Sequence, residues 1–193
     1  LNLGATGNSL VNVLTGNSGD NVLNGGYSAS SPQADTLIGG LGNDTYEIDK
    51  ALGSNYSDDV VTEAADAGYD TIIARTHSVV LPVNVEALRM LGFSGSYTPT
   101  TQIFAGNALD NVLDARYVEL LGYGFTMDGG AGADIMIGPN DTTFNTTTDR
   151  IIRYVVDNVG DVVVGGTTTF DLVRASISYT LPNAVERLEL TGS

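Results

Sequence analysis

The residues whose type and spacing could do chemistry are acids and amides that recur behind glycines. In a nine-residue register from Gly7, four tandem copies run Gly7 to Thr15, Gly16 to Asn24, an expanded Gly25 to Ile38, and Gly39 to Glu47. Their sixth positions are Asn12, Asn21, Asp35 and Asp44, and their eighth positions are Leu14, Leu23, Leu37 and Tyr46. Glycines in such a loop can turn successive carbonyl oxygens into a concavity, the acid adds a carboxylate, and the last three residues make a short strand with one side chain inward. A calcium ion takes about six to eight oxygens of this kind. One loop offers too few, so two must cooperate. If each nonapeptide is half a turn, loops two copies apart stack: the Gly7 loop with the Gly25 loop, and the Gly16 loop with the Gly39 loop. The second pair is the stronger expectation, joining Asp20 and Asn21 to Asp44 and to the carbonyls of Gly40 and Gly42. The first pair brings Asn12 and Asp35, with less charge.

The pattern returns further on. Gly106 to Leu113 repeats Gly16 to Leu23 at an offset of 90 residues, and Gly129 to Asp134 repeats Gly39 to Asp44. Asp110 and Asn111 are expected to face Gly130, Gly132 and Asp134, provided the degenerate segment Ala115 to Phe125 completes the intervening half-turn. Asp149 is a further sixth-position candidate. A second layer of repetition relates Leu81 to Leu88 with Leu181 to Leu188. Two repeat units follow, 1–103 and 104–193, with 1–6 as the end of a preceding unit and a polar loop at about 138–149. The chain reads as a segment of a longer array.

The elements that must position these residues are short. Asp59 to Thr62, Thr71 to Ala74, Val79 to Val83, Ile151 to Val156 and Asp161 to Val164 are β-branched runs between polar or glycine turns, which read as strands. No stretch carries helical periodicity with caps, although Ala64 to Gly68 has room for one helical turn. The expected fold is all-β: a parallel β-roll or β-solenoid whose stacked nonapeptide turns bury one side chain each against their neighbours.

Composition agrees. The chain carries 23 Asp and Glu against 8 Lys and Arg, a net charge of −15, which disfavours nucleic acid and anionic membranes and favours cations. With 42% hydrophobic residues it is not the composition of a disordered chain. There is no cysteine, so a metal would be held by oxygen, which suits a hard cation. No apolar run is long enough to span a bilayer.

At Gly16 to Asp49, Gly106 to Leu113 and Gly129 to Asp134 the sequence resembles the hemolysin-type calcium-binding repeats, also called repeats-in-toxin. Gly39 to Glu47 fits their G-G-x-G-x-D-x-U-x pattern at every specified position, U being a large apolar residue. The longer units, with Asp44 to Asp49, Asp59 to Glu63 and Leu81 to Leu88, are similar to extended versions found in very large bacterial surface and secreted proteins. The resemblance implies export of an unfolded chain through a type I secretion channel and folding outside the cell when calcium is plentiful. The chain departs from the pattern at Asn12 and Asn21, at the Tyr27 to Gln33 insertion, and at Arg116 to Gly124.

Catalytic machinery is not evident. The one histidine, His77, suits a surface strand position better than a general base, no nucleophile elbow is present, and the abundant aspartates are placed by the repeat register. Glu86 and Glu186, at matching places after a proline, read as structural turn residues, and Tyr46, Tyr69, Tyr154 and Tyr179 as core or strand-face residues. The expected function is a calcium-stiffened structural or adhesive module, not an enzyme, of a secreted or cell-surface bacterial protein. Its expected partners are calcium and neighbouring repeats stacked head to tail. The alternative is a carbohydrate-binding accessory module of an exported glycan-modifying enzyme, with an extracellular glycan as partner.

Overall fold

A computed structural model describes residues 1–26, 34–48, 59–75, 78–91, 102–118, 124–140, 151–166 and 170–192. The insertion at Tyr27 to Gln33, His77 and Asp149 lie outside the described residues.

The strands are short because every half-turn ends at a glycine or a polar corner. In chain order they are β1 (Gly4–Thr6), β2 (Val13–Thr15), β3 (Val22–Asn24), β4 (Thr36–Ile38), β5 (Thr45–Ile48), β6 (Val60–Thr62), β7 (Thr71–Ala74), β8 (Val79–Val80) and β9 (Ala87–Leu91). The second unit adds β10 (Ile103–Ala105), β11 (Val112–Tyr117), β12 (Thr126–Asp128), β13 (Ile135–Ile137), β14 (Ile151–Val156), β15 (Val162–Val164), β16 (Phe170–Ala175) and β17 (Arg187–Leu190).

Successive strands alternate between two walls as far as β16, and β17 then pairs with β16 on the same wall. Wall one is an eight-stranded sheet in the order β1-β3-β5-β7-β9-β11-β13-β15; wall two consists of two separate sheets, three-stranded β2-β4-β6 and six-stranded β8-β10-β12-β14-β16-β17, with no ladder between β6 and β8 among the described residues. All the ladders described are parallel, so the chain winds as a β-solenoid with one nonapeptide per half-turn in the glycine-rich part. The expected loop pairing follows: Gly7 N–H donates to Asn24 O, and Gly16 N–H to Ile38 O, each at 2.8 Å. The degenerate stretch after Ala115 does complete a half-turn, since β12 lies in wall two and β11 and β13 pair in wall one.

Cross-strand register stacks the inward side chains in two columns. Along wall one the column is Ala5, Leu23, Tyr46, Ile72, Leu88, Leu113, Met136 and Val163. Along wall two it is Leu14, Leu37 and Val61, then Val79, Phe104, Met127, Tyr154, Val173 and Leu188. The eighth positions of the repeat are therefore the core, and a fully buried side chain of this size contributes about 1.5–3 kcal/mol.

Two local expectations change. Ala64 to Gly68 forms no helix: Ala65 and Asp66 make a turn, with Asp66 at φ 58°, and five residues are too few to nucleate a helix. The strand expected at Val79 to Val83 stops at Val80, ahead of Pro82, which has no N–H to give a ladder.

Candidate metal centre

Each half-turn enters its strand through a corner, and the acid there has a consistent first task. One carboxylate oxygen accepts the backbone N–H of the corner residue one full turn back. Asn21 N–H donates to Asp44 Oδ1, Asp44 N–H to Asp70 Oδ1, Asp70 N–H to Glu86 Oε2, and Asn111 N–H to Asp134 Oδ1, all at 2.7 Å. Wall two repeats the device with Asn12 N–H to Asp35 Oδ1 at 2.6 Å and Asp171 N–H to Glu186 Oε2 at 2.7 Å. Glu86 and Glu186 thus cap turns, as read from the sequence.

The second oxygen of these acids decides the chemistry. Asp44 Oδ2, Asp70 Oδ2 and Asp134 Oδ2 are buried without a hydrogen-bond partner. Two of these acids meet a third at one corner: Asp44, Glu63 and Asp70 are all buried, and one carboxylate oxygen from each lies within 4.8 Å of the others. Glu63 leaves the end of β6, its Oε1 accepts the Tyr46 hydroxyl, and its Oε2 accepts Ala64 N–H at 3.2 Å. Gly39 makes room for them. A Cβ there would fall 2.1 Å from Asp44 Oδ2, 2.3 Å from Tyr46 Oη and 2.4 Å from Glu63 Oε1.

Electrostatics make the cluster costly as it stands. Burial, reinforced by the neighbouring Asp70 charge, pushes Glu63 up to about 7. Burial likewise pushes Asp70 up to about 6 and raises Asp44. Desolvated carboxylates this close either keep a proton or take a compensating cation. All the side-chain donors are oxygens, so the arrangement could hold a hard metal ion.

The other sequence-derived candidates are distributed around this centre. Asp44 belongs to it. Asn21 lies one turn back, 1% exposed, with its Oδ1 accepting Asn17 N–H at 2.7 Å. Asp20 sits at the exposed rim, where Oδ1 accepts Asn43 N–H at 2.9 Å and its charge adds to the rise in Asp44. Gly40 and Gly42, at φ 107° and 108°, take the left-handed conformation the loop requires, and a Cβ on Gly40 would be 2.5 Å from Asn17 O. Asn12 and Asp35 belong to the corner of wall two, away from the cluster.

In the second unit Gly130 and Gly132 are also left-handed, at φ 84° and 125°. Asp134 is fully buried and pushed up to about 6 by burial, then by the charges of Asp161, Asp157 and Asp110. Asp110 is exposed, its Oδ1 accepting Ala133 N–H at 2.7 Å. Asn111 donates through Nδ2 to Val85 O at 3.1 Å and Glu86 O at 3.3 Å. Among the described residues, no three-acid cluster like that at Asp44 forms around Asp134.

Sequence reasoning missed Glu63 and Asp70. A signal for Asp70 was present, since Asp70-Thr71-Ile72 repeats Asp35-Thr36-Leu37 and Asp44-Thr45-Tyr46. Nothing comparable marked Glu63.

Fold and site together define an all-β parallel solenoid of repeats with a buried acidic corner suited to a metal ion. No protein-family model matches the chain, and no curated protein or solved structure matches it significantly.

Proposed function

We propose that the chain is a calcium-binding β-roll segment of a large secreted or cell-surface bacterial protein, with a structural or adhesive role, folding as it takes up calcium after export. The observation that carries this reading is the buried trio Asp44, Glu63 and Asp70, in which both aspartates keep an unpartnered oxygen. Calcium suits it best among common ions. The donors are carboxylates, with the Tyr46 hydroxyl beside them, and calcium tolerates irregular oxygen shells that magnesium does not. The ion would join the ends of β6 and the starts of β5 and β7, so that its binding free energy becomes folding free energy. Export and the surface role rest on the resemblance of the nonapeptides to the repeats-in-toxin pattern. The acids are assigned to turn capping and cation binding, and no catalytic role is assigned to them.

The test is a calcium titration of chelator-treated protein followed by far-UV circular dichroism, repeated with Glu63→Gln and Asp70→Asn. Calcium should drive a gain of β signal or of thermal stability, and either substitution should weaken the response. A protein equally stable with and without calcium would remove the metal from the account.

A further inference from the structure

Wall two is split at a level where wall one is not. Wall one keeps a continuous ladder there, with Tyr46, Ile72 and Leu88 paired through β5, β7 and β9. In wall two β6 pairs back to β4 and β8 pairs on to β10, and among the described residues no ladder joins β6 to β8. A cleft of about 600 Å³ opens at the break. Val60 and Val61 of β6 line it from one side, Val79 and Val80 of β8 from the other, and Ile48 and Ile72 of wall one from its depth. Ile72 is 2% exposed and belongs to the core, whereas Val60 and Val80, at 53% and 69%, stand on the outer surface. The cleft therefore runs from solvent to the core.

The metal centre stands at one end of this break. Glu63 directly follows β6, and its carboxylate meets those of Asp44 and Asp70, which directly precede β5 and β7. Its backbone carbonyl accepts Asn84 Nδ2 at 3.0 Å, from the corner between β8 and β9. That corner is also tied to Asp70: Asp70 N–H donates to Glu86 Oε2 at 2.7 Å, and Ala87 N–H donates to Asp70 O at 3.0 Å. Glu63 thus carries two connections, its side chain into the acid trio and its main chain to the far side of the break.

We propose that a calcium ion at Asp44, Glu63 and Asp70 is the clasp of this break, and that the solenoid flexes there when the ion leaves; the clasp rests on the calcium reading of that centre. Ionised carboxylates this close in the interior repel one another. Glu63 is the member that can withdraw, because β6 has no ladder on its far side among the described residues, whereas Asp44 and Asp70 lead into strands paired on both sides. As Glu63 withdraws it pulls on the Asn84 contact, and β6 moves with its three-stranded sheet away from β8. Wall one stays paired and serves as the spine. A bound ion cancels the repulsion and holds Glu63, and with it β6, against β7 and the Asn84 corner. The cleft then narrows over Ile48 and Ile72, which apolar burial favours. A structural segment built this way is stiff in calcium and jointed without it.

The chain has no cysteine, so nitroxide labels can be placed at chosen positions. Val60→Cys/Val80→Cys spans the break, and Thr36→Cys/Val60→Cys spans the paired β4–β6 ladder as a control. Label separations are read by electron paramagnetic resonance through a calcium titration, with calorimetry for binding and far-UV circular dichroism for the fold. The pair across the break should narrow to one shorter distance as calcium binds, with the control pair unchanged. For an ion that binds the closed form alone, free calcium at a hundred times its dissociation constant lowers the open population about a hundredfold. Asn84→Gly tolerates the φ of 64° found there but removes the amide, so it should bind calcium and lose the narrowing. Calcium binding with no change across the break, both pairs changing together, or full narrowing in Asn84→Gly would overturn the clasp and leave calcium binding in place. No calcium binding by calorimetry would overturn both.

Discussion

Without divalent cations, the stability of this chain should fall as pH rises from about 4.5 to 7.5. In the folded state burial holds Glu63 at about 7, against an ordinary 4.5, and Asp70 and Asp134 at about 6, against an ordinary 3.8. A carboxyl group whose folded value is raised binds its proton more tightly folded than unfolded. Its favourable contribution is complete below the unfolded value and is lost as pH climbs through the folded one. At 1.36 kcal/mol per pH unit, the shift of Glu63 corresponds to about 3 kcal/mol, and those of Asp70 and Asp134 are each of similar size. The three are not additive, because Glu63 and Asp70 interact. Even one is a large share of the roughly 5–15 kcal/mol that holds a typical domain folded. Urea unfolding of chelator-treated protein at pH 5 and pH 7.5 should therefore give a lower midpoint at the higher pH. Calcium should reverse the trend, since it binds the deprotonated carboxylates and releases protons as it does so. A chelated protein whose midpoint is flat or rises between pH 5 and 7.5 would refute the claim that these acids are buried without compensation.

Other substitutions separate the layers of the fold. Gly40→Ala should destabilise the chain by about 2 kcal/mol or more, because φ is 107° and the added Cβ would lie 2.5 Å from Asn17 O. Gly4→Ala, whose Cβ meets nothing nearer than 3.8 Å, should cost far less in the same thermal melts. Leu113→Ala, at a fully buried point in the wall-one column, should cost about 2–5 kcal/mol in urea unfolding. Tyr46→Phe leaves Glu63 Oε1 without its hydroxyl donor, so it should cost about 1–3 kcal/mol and weaken calcium binding measured by calorimetry.

Much of this was legible in the residues because a repeat shows its geometry in its phase. The eighth positions Leu14, Leu23, Leu37 and Tyr46 mark the inward column, and the glycines at 40, 42, 130 and 132 mark the left-handed turns. The cluster itself was only half legible. Asp44 sits in the nonapeptide, but Glu63 reaches it from the end of β6, in the opposite wall, a contact set by the winding of the solenoid and invisible to local register. The second unit hid a further change. Leu81 to Leu88 runs from β8 in wall two towards β9 in wall one, whereas its repeat, Leu181 to Leu188, leads into β17 in wall two. Counting residues cannot reveal that matching segments end on opposite walls, because an added strand changes the wall without disturbing the local pattern.

The choice between Asn and Asp at the sixth position has a physical sense that the repeat pattern alone leaves unexplained. An amide has one oxygen, and Asn12, Asn21 and Asn111 each spend it inside their own loop, on the N–H of Asn8, Asn17 and Asn107 at 2.6, 2.7 and 2.7 Å. A carboxylate has two. One oxygen of each corner aspartate crosslinks to the turn before, and the second is left to choose. Asp161 Oδ2 turns to its own loop, accepting Asp157 and Asn158 N–H, each at 3.0 Å. Asp171 does the same with Gly166 N–H at 2.7 Å, while its Oδ1 takes the Tyr154 hydroxyl at 3.2 Å. Asp44, Asp70 and Asp134 leave that second oxygen unpartnered in the interior. Asp171 and Tyr154 stand to one another as Glu63 and Tyr46 do, seventeen residues apart in each case, and both oxygens of Asp171, like both of Glu63, have protein partners. The same corner can therefore close by protein hydrogen bonds or keep an oxygen open to a cation, and Asp134 keeps its oxygen open although no three-acid cluster forms around it among the described residues.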